Sequence, residues 1–307
     1  MDLRELIPEA DLQQDIVPEV PRRSKEEYVA YKKEQRESLW ERVEQKTVEV
    51  FRNGEALKDF LSFIAYCTPQ TTANLLALYG QDPQITQPRT FEKWKEIGRS
   101  VRGKAKGFDF FVTRKYTRAD GSSGESREVV KAFDISQTTG PRQATPPRYT
   151  ASELLPLAIQ ASSVRLCASD GLPAKVQAQY VPDRKTIYVR NGMDEATTLM
   201  AIVREQAQAL FSRNQNATRK EYAAQSYCAA YVFAAHFGLP TDGFRFDGVC
   251  QNAASSNAKA LRKFITDVRN AAYAAEKMIE EVLPQREMAE GKPGKIPVAD
   301  KAAEAAR

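Results

Sequence analysis

The chain has 307 residues, of which 42% are hydrophobic and 28% are charged, and its formal net charge is +5. These values are ordinary for a globular protein in water, and the length suits about two domains of typical size. No stretch approaches the roughly 18 consecutive apolar residues of a membrane span, which argues against a membrane role. The polar amino terminus lacks the pattern of a secretory signal, so we expect a cytoplasmic protein.

Cysteine and histidine usage excludes several kinds of site. Cys67, Cys167, Cys228 and Cys250 are too far apart in sequence for a zinc ribbon or a redox dithiol, and we expect them to be reduced and mostly buried. His236 is the only histidine, so any site that needs two imidazoles is excluded. It falls in a helical segment, where packing or a helix-end role is favoured over catalysis.

The first half of the chain is predicted to be helical and then to form a β-hairpin. Residues 1–24 contain three prolines and no sustained periodicity, which predicts a flexible arm. Apolar residues at spacings of three and four predict helices at 25–51, 57–64, 74–78 and 91–97. The strand, loop and returning strand of the hairpin are predicted at 108–116, 119–124 and 128–135.

The second half follows a segment rich in proline, residues 136–149, which we interpret as a linker. Beyond it we predict a helix at 151–162 and a pair of strands at 177–181 and 186–190. Several further helices follow these strands. The composition from residue 286 to 307 predicts a disordered tail. The fold class is therefore α+β, with two domains at 25–135 and 150–285.

Positive charge is concentrated in one region. Residues 84–118 contain ten Lys and Arg against three Asp and Glu, an excess larger than the net charge of the whole chain. The cations predicted to converge on one groove are Lys93, Lys95, Arg99, Arg102, Lys104 and Lys106. Phe91, Trp94, Phe108 and Phe110 are interleaved with them, and aromatic rings beside a basic groove stack with the bases of single strands. Single-stranded nucleic acid is the expected ligand, although Phe91 and Trp94 also have the spacing of core residues.

A second motif lies within a predicted helix at 199–211. Arg204-Glu205-Gln206-Ala207-Gln208 has the frame of a zinc-protease helix, in which two histidines four residues apart bind the metal and the glutamate between them activates water. Arg204 and Gln208 occupy the histidine positions. Protonated arginine has no lone pair and a neutral amide is a poor zinc ligand, so we expect no metal. An ordinary amphipathic helix with a chance match is the alternative.

Two separate segments resemble the ArdC-type antirestriction proteins of conjugative plasmids, integrative elements and phages. Residues 74–83 and 90–107 resemble that family's amino-terminal domain, which binds single-stranded DNA. The family's zincin-like domain is resembled by three segments of the second half: the strand before residue 191, the helix at 199–211, and residues 219–226. The family usually has glycine where this chain has Lys104, and an acidic metal ligand where it has Gln225. The resemblance covers about residues 55–285 and implies a degenerate metal site at Arg204, Glu205, Gln208 and Gln225.

The function that follows from these patterns is non-catalytic. We expect a DNA-associated accessory protein of a mobile element, with a single-stranded-DNA-binding domain and a pseudo-metallopeptidase domain that needs no cofactor and serves as a scaffold for a protein partner. A protein-interaction module that inhibits a host defence or joins an assembly is one alternative. A metallopeptidase with atypical ligands is another, but Glu205 and Glu221 offer it few donors. We also expect the Arg204 guanidinium to lie near the carboxylate of Glu205 or Glu221.

Overall fold

The computed structural model describes residues 24–118, 121–141, 148–213 and 218–283. The predicted arm, apart from Ser24, and the predicted tail lie outside these ranges, as does most of the proline-rich part of the predicted linker. Helices and small sheets both occur, which confirms the α+β class. Within the described ranges, no helix is long and apolar enough to cross a bilayer.

The helices follow the predicted pattern closely, and several begin at a polar side chain that caps the first turn. The α-helices of the described ranges are α1 (Lys25–Val50), α2 (Gly54–Tyr66), α3 (Thr72–Gln81), α4 (Phe91–Glu96), α5 (Ala151–Gln160), α6 (Glu195–Phe211), α7 (Ala223–Phe237), α8 (Asp247–Ala253) and α9 (Ala258–Val282). Ser24 and Glu27 form a capping box at the start of α1. At α6, the Asp194 carboxylate accepts a hydrogen bond from the backbone N–H of Thr197.

The strands form small sheets. Those in the described ranges are β1 (Arg89–Thr90), β2 (Ser100–Val101), β3 (Phe108–Thr117), β4 (Ser123–Phe133), β5 (Thr138–Thr139), β6 (Arg165–Ser169), β7 (Ala178–Val181) and β8 (Thr186–Arg190). The first sheet has the order β1-β4-β3 and is antiparallel, and β2 pairs with β5. In the third sheet, of order β6-β8-β7, β6 runs parallel to β8 and β7 antiparallel to it.

The hairpin extends further than its sequence predicted. Strand β4 begins at Ser123, where a loop was expected, and Gly124 lies opposite Tyr116 in the ladder. A Cβ atom on Gly124 would come within 2.6 Å of the Tyr116 ring, so the ring covers the glycine closely. Such pairing of an aromatic residue with a glycine across a ladder stabilises a strand that the glycine alone would weaken. The other end of the predicted loop, at residues 119–120, lies outside the described ranges.

Four strands occur where none was predicted, namely β1, β2, β5 and β6, and the last two show the reason. Thr138 and Thr139, inside the predicted linker, pair with Val101 and Ser100. Strand β6 pairs in parallel with β8. The side chains of β6 do not alternate clearly between buried and exposed. Both strands depend on partners distant in sequence, so a local pattern could not predict them.

The main hydrophobic core contains residues of both predicted domains, among them Leu57, Phe60, Leu75, Val232 and Val268. Polar contacts join the same elements. The hydroxyl oxygens of Ser62 and Tyr231 are 2.7 Å apart, and His236 Nδ1 lies 2.9 Å from the carbonyl oxygen of Ala65. The predicted domains therefore share core packing, and the position of a boundary between them stays a prediction.

Candidate functional sites

Helix α6 packs against the third sheet and positions the residues of the degenerate motif. Ala201 and Ile202 of α6 lie in one buried cluster with Ile187 of β8. On the neighbouring part of the helix, Glu205 and Gln208 are only 4% and 5% exposed. The packing of α6 thus places a carboxylate and an amide inside the protein, where each needs hydrogen-bond partners.

The buried carboxylate of Glu205 accepts three hydrogen bonds. Arg219 donates from Nη1 to Oε2 and from Nη2 to Oε1, each at 2.5 Å. The backbone N–H of Tyr180, in β7, donates to Oε2 at 2.6 Å. The bond to Glu205 raises the pKa of Arg219 above its ordinary value. Both oxygens of the carboxylate are therefore occupied by N–H donors.

The arginine that binds Glu205 is Arg219, whereas Arg204 lies near this carboxylate, as the sequence led us to expect, without forming an ion pair with it. Arg204 donates from Nη2 to the side-chain oxygen of Gln177, and from Nε to the carbonyl oxygen of Met200 at 3.3 Å. Burial lowers the pKa of Arg204, and the nearby charge of Glu205 offsets part of that effect. The other carboxylate considered, that of Glu221, belongs to an exposed residue.

A cleft of about 290 Å³ opens between α6, the start of β7 and the first turns of α7. Three of the four predicted site residues line it: Arg204, Glu205 and Gln208. Lys175, Gln177, Arg219, Ser226 and Tyr227 also line it, and sequence reasoning did not select them for the site. Gln225 is not among the lining residues, because α7 presents Ser226 and Tyr227 to the cleft. Gln208 Nε2 donates to the carbonyl oxygen of Arg219 at 3.3 Å.

The lining of this cleft does not fit a divalent cation. Its one carboxylate, on Glu205, already accepts three hydrogen bonds, and Arg204, Arg219 and Lys175 contribute positive charge. In the part of the chain that the structure describes, no group of three or more His, Cys, Asp or Glu side chains could hold a metal ion. Protein zinc sites use three or four such donors, so no metal-dependent step can be assigned to these residues.

The second candidate site is the basic segment, defined as residues 91–107. Its exposed cations are Lys93, Lys95, Arg102, Lys104 and Lys106. None of them forms an ion pair with a residue of the described ranges. Arg99 differs, because it is only 9% exposed and donates to the hydroxyl of Thr138 at 2.9 Å and to the carbonyl oxygen of Pro141. Its guanidinium therefore fixes the segment to the strand at Thr138.

Trp94 lies in the core and presents no face to a base, which removes it from the predicted nucleic-acid contacts. It is 0% exposed, and its Nε1–H donates to the carbonyl oxygen of Phe133 at 2.8 Å. The guanidinium groups of Arg89 and Arg99 lie 5.4 and 5.8 Å from its ring centre. The helical spacing that allowed a core role was the better guide. Phe91, at 53% exposure, is the aromatic residue of this segment that faces solvent.

The loop after β2 contains a lysine in a left-handed backbone conformation. Lys104 has a φ of 65°, within a turn in which the Ala105 N–H donates to the carbonyl oxygen of Arg102 at 3.2 Å. This is the position at which the resembled family usually has glycine. Lys104 thus adopts a backbone conformation that glycine adopts more easily, at a cost of about 1 kcal/mol.

A cluster around Trp40 was not found from the sequence. The guanidinium groups of Arg262 and Arg127 lie 4.9 and 5.9 Å from its ring centre. A surface cavity of about 480 Å³ beside it is also lined by Arg36, Phe111, Glu37 and Glu41. No local signal links Trp40 to arginines of β4 and α9, since only the fold brings them together. The two glutamates offset the charge of Arg36 and Arg127, so this surface is less cationic than the basic segment.

Comparison with known proteins shows a likeness of fold. No protein-family model matches the chain, and none of the curated proteins matches it. The chain is similar to the metal-free crystal structure of the antirestriction protein ArdC from plasmid R388, with 16% identity, a TM-score of 0.49, and coverage of 79% of this chain and 99% of that one. The Mn(II)-bound structure of the same protein gives 18% identity, a TM-score of 0.45, and coverage of 70% and 86%. The structural neighbours are thus ArdC antirestriction proteins, but a likeness at this level carries no conclusion about activity.

Proposed function

We propose that the chain is a non-catalytic, DNA-associated accessory protein of a mobile element, which binds single-stranded nucleic acid through its basic segment. The observation that supports this most directly is the exposure of Lys93, Lys95, Arg102, Lys104 and Lys106 without ion pairs in the described ranges. Cations that are not already neutralised can pair with phosphates and release counterions. A phosphate backbone is therefore the partner that fits this surface.

One feature of the segment favours a single strand over a duplex, and a second favours binding in general. The ring of Phe91 is exposed beside Lys93 and Lys95, and base faces that could stack on it are available in single strands and hidden in duplexes. Trp94 and Arg99 meanwhile anchor the segment to Phe133 and Thr138. A surface that is already held in place loses less conformational entropy when it binds.

The chemistry of the cleft supports a non-catalytic role for the second half. A glutamate that acts as a general base needs an oxygen within hydrogen-bond reach of the water it activates. Both oxygens of Glu205 accept hydrogen bonds from Arg219, and one also accepts the Tyr180 N–H. We infer that this carboxylate has become a structural group and that the domain around it serves as a scaffold.

The test is a comparison of two variants that each remove five positive charges. The first removes the exposed cations of the basic segment: K93Q, K95Q, R102Q, K104Q and K106Q. The matched control removes four lysines and one arginine that are exposed elsewhere: K33Q, R165Q, K220Q, K259Q and K277Q. Fluorescence anisotropy with a labelled single-stranded oligonucleotide, and with its duplex, measures the affinity of each.

We expect the wild-type protein and the control to bind the single strand more tightly than the duplex, and the basic-segment variant to lose at least about tenfold in affinity. Equal losses in the two variants would show that net charge rather than this surface attracts the nucleic acid. No binding by the wild-type protein at low salt would overturn the proposed function itself.

A further inference from the structure

The cleft beside Glu205 contains positive charge that no ion pair with a described residue compensates. Three cations and one carboxylate line it, which gives a net charge of +2. Glu205 is neutralised by Arg219 through two hydrogen bonds. Arg204 and Lys175 remain, and neither forms an ion pair with a carboxylate of the described residues. Two cations in one concave site attract an anion.

The hydrogen-bonding capacity of Arg204 is only partly used. A guanidinium carries five N–H donors, and the observed bonds from Nε and Nη2 both go to neutral oxygens, those of Met200 and Gln177. The side chain is half-buried, so part of its hydration is lost without an anionic partner in return. Such a group gains strongly from a ligand that supplies negative charge and acceptor oxygens.

Tyr227 adds a further donor at the same place. Its hydroxyl oxygen accepts a hydrogen bond from the backbone N–H of Arg245 at 2.8 Å, which leaves its own proton for another acceptor. The phenol is close enough to Arg204 to influence the pKa of the guanidinium. Arg204, Lys175 and Tyr227 thus offer donors to one cleft, whose carboxylate is already bound by Arg219.

We propose that this cleft binds a phosphate group, with Arg204 and Lys175 as the cations that hold it. A phosphate monoester carries a charge of about −1.5 to −2 near pH 7, which matches the net charge of the lining better than a single carboxylate does. The volume of about 290 Å³ exceeds the needs of the phosphate alone. Inorganic phosphate, a nucleoside monophosphate and the phosphorylated 5′ end of a nucleic acid share this chemistry.

Isothermal titration calorimetry on the full chain at constant ionic strength tests the proposal. The probes are inorganic phosphate, a nucleoside 5′-monophosphate, acetate, and one oligonucleotide prepared with either a 5′-phosphate or a 5′-hydroxyl. We expect phosphate to bind and acetate to bind much more weakly. The phosphorylated probe that binds most tightly identifies the kind of molecule that supplies the phosphate. The difference in affinity between the 5′-phosphorylated and 5′-hydroxyl oligonucleotides measures the contribution of the terminal phosphate apart from general strand binding.

Three variants locate the site. Arg204→Gln should weaken the binding of inorganic phosphate about tenfold or more, because charge-assisted hydrogen bonds are lost. Lys175→Gln, at an exposed position where folding is not in question, should weaken it severalfold. Arg165→Gln removes an exposed charge from the same sheet outside the cleft and should leave it unchanged.

The outcomes are decisive whether or not Arg204→Gln folds, because Lys175→Gln tests the same cleft. Equal phosphate affinity in Lys175→Gln, Arg165→Gln and the wild-type protein would overturn the proposal, as would acetate that binds as tightly as phosphate. The variant that lacks the five cations of the basic segment should keep its phosphate affinity. Loss of phosphate binding in that variant instead would place the phosphate on the basic segment.

Discussion

Arg219 donates two parallel hydrogen bonds of 2.5 Å to the two carboxylate oxygens of Glu205. The partners differ in environment, since 49% of the arginine side chain and 6% of the glutamate side chain are exposed. A bidentate pair fixes orientation as well as distance. With the Tyr180 N–H as third donor, the carboxylate joins α6 to β7 and to the segment before α7.

Arg219→Met should lower the free energy of unfolding by about 1–2 kcal/mol at pH 7. Removal of one partner from a fully buried ion pair costs about 3–5 kcal/mol, and the exposure of Arg219 reduces that figure through solvent screening. Urea denaturation measures the loss. Arg184→Met is the control, because that exposed side chain forms no ion pair in the described structure and donates a hydrogen bond to the Tyr188 hydroxyl, and it should cost less than about 0.5 kcal/mol. Equal losses would mean that the buried pair contributes nothing.

The helix that contains Glu205 could be predicted from sequence, but neither the burial of this residue nor its partner could. Apolar residues at spacings of three and four predict α6, and Glu205 lies between those positions. It is buried because α6 packs on two sides, with Val203 in one cluster and Ala201 in another. Arg204 was the natural candidate because it is adjacent in the chain. Adjacent residues of a helix point about 100° apart, however, so they do not face one another. The fold supplies Arg219 instead, and only coordinates show that it reaches the carboxylate.

The basic segment shows the same limit. Its charge excess was evident from composition, but residue type does not separate an exposed arginine from a buried one. Arg99 is held by Thr138 and Arg102 is exposed, a difference that depends on the unpredicted pairing of β2 with β5. Trp94 was ambiguous for a similar reason, since spacing allowed both the core and the surface. Contacts between distant parts of the chain decided each case.

Glu276 should make the stability of the protein depend on pH. It lies buried in α9, where burial raises its pKa from the ordinary 4.5 to about 7. His236 Nδ1 lies 4.0 Å from its Oε2, Glu280 and Tyr273 are also close, and its Oε1 has no hydrogen-bond partner in the described structure. The folded chain therefore retains a proton that the unfolded chain releases between pH 4.5 and 7. The free energy of unfolding must fall as the pH rises through that window.

Glu276→Gln removes this titration, so it should stabilise the protein by about 3 kcal/mol at pH 8 relative to its effect at pH 4. Chemical denaturation at several pH values measures the difference between variant and wild type. Glu281→Gln is the control, because Glu281 is exposed and pairs only with Lys277 on the same helix in the described structure. If the difference in the free energy of unfolding between Glu276→Gln and the wild type does not change with pH, Glu276 ionises in the folded chain as it does in the unfolded chain.

The affinity for single-stranded nucleic acid should fall steeply with salt. Five exposed cations in the basic segment, at about 0.7 counterion per phosphate contact, give a slope of about −3.5 for log affinity against log salt concentration. The double variant K93Q and K95Q should reduce the slope to about −2. Anisotropy titrations in potassium chloride measure both. A flat dependence in the wild-type protein would exclude phosphate contacts as the source of affinity.

Phe91 and Trp94 should respond in opposite ways to substitution. Phe91→Ala removes an exposed ring, so it should weaken single-strand binding by about 1–2 kcal/mol and leave the unfolding temperature nearly unchanged. Trp94→Phe leaves the Phe133 carbonyl without its N–H partner and opens space in the core. It should lower the free energy of unfolding by about 1–3 kcal/mol without changing the affinity of the folded protein. Weaker binding by a fully folded Trp94→Phe variant would restore the stacking role.

The left-handed conformation of Lys104 predicts that glycine is better than alanine at this position. Both substitutions remove the charge, so both should reduce the salt slope equally. Lys104→Gly should nevertheless be about 1 kcal/mol more stable than Lys104→Ala, because a Cβ atom is strained at a φ of 65°. Lys106, which has no positive φ, is the control, and there alanine should be at least as stable as glycine. If glycine and alanine rank in the same order at both positions in urea denaturation, the loop does not hold Lys104 in this conformation in solution.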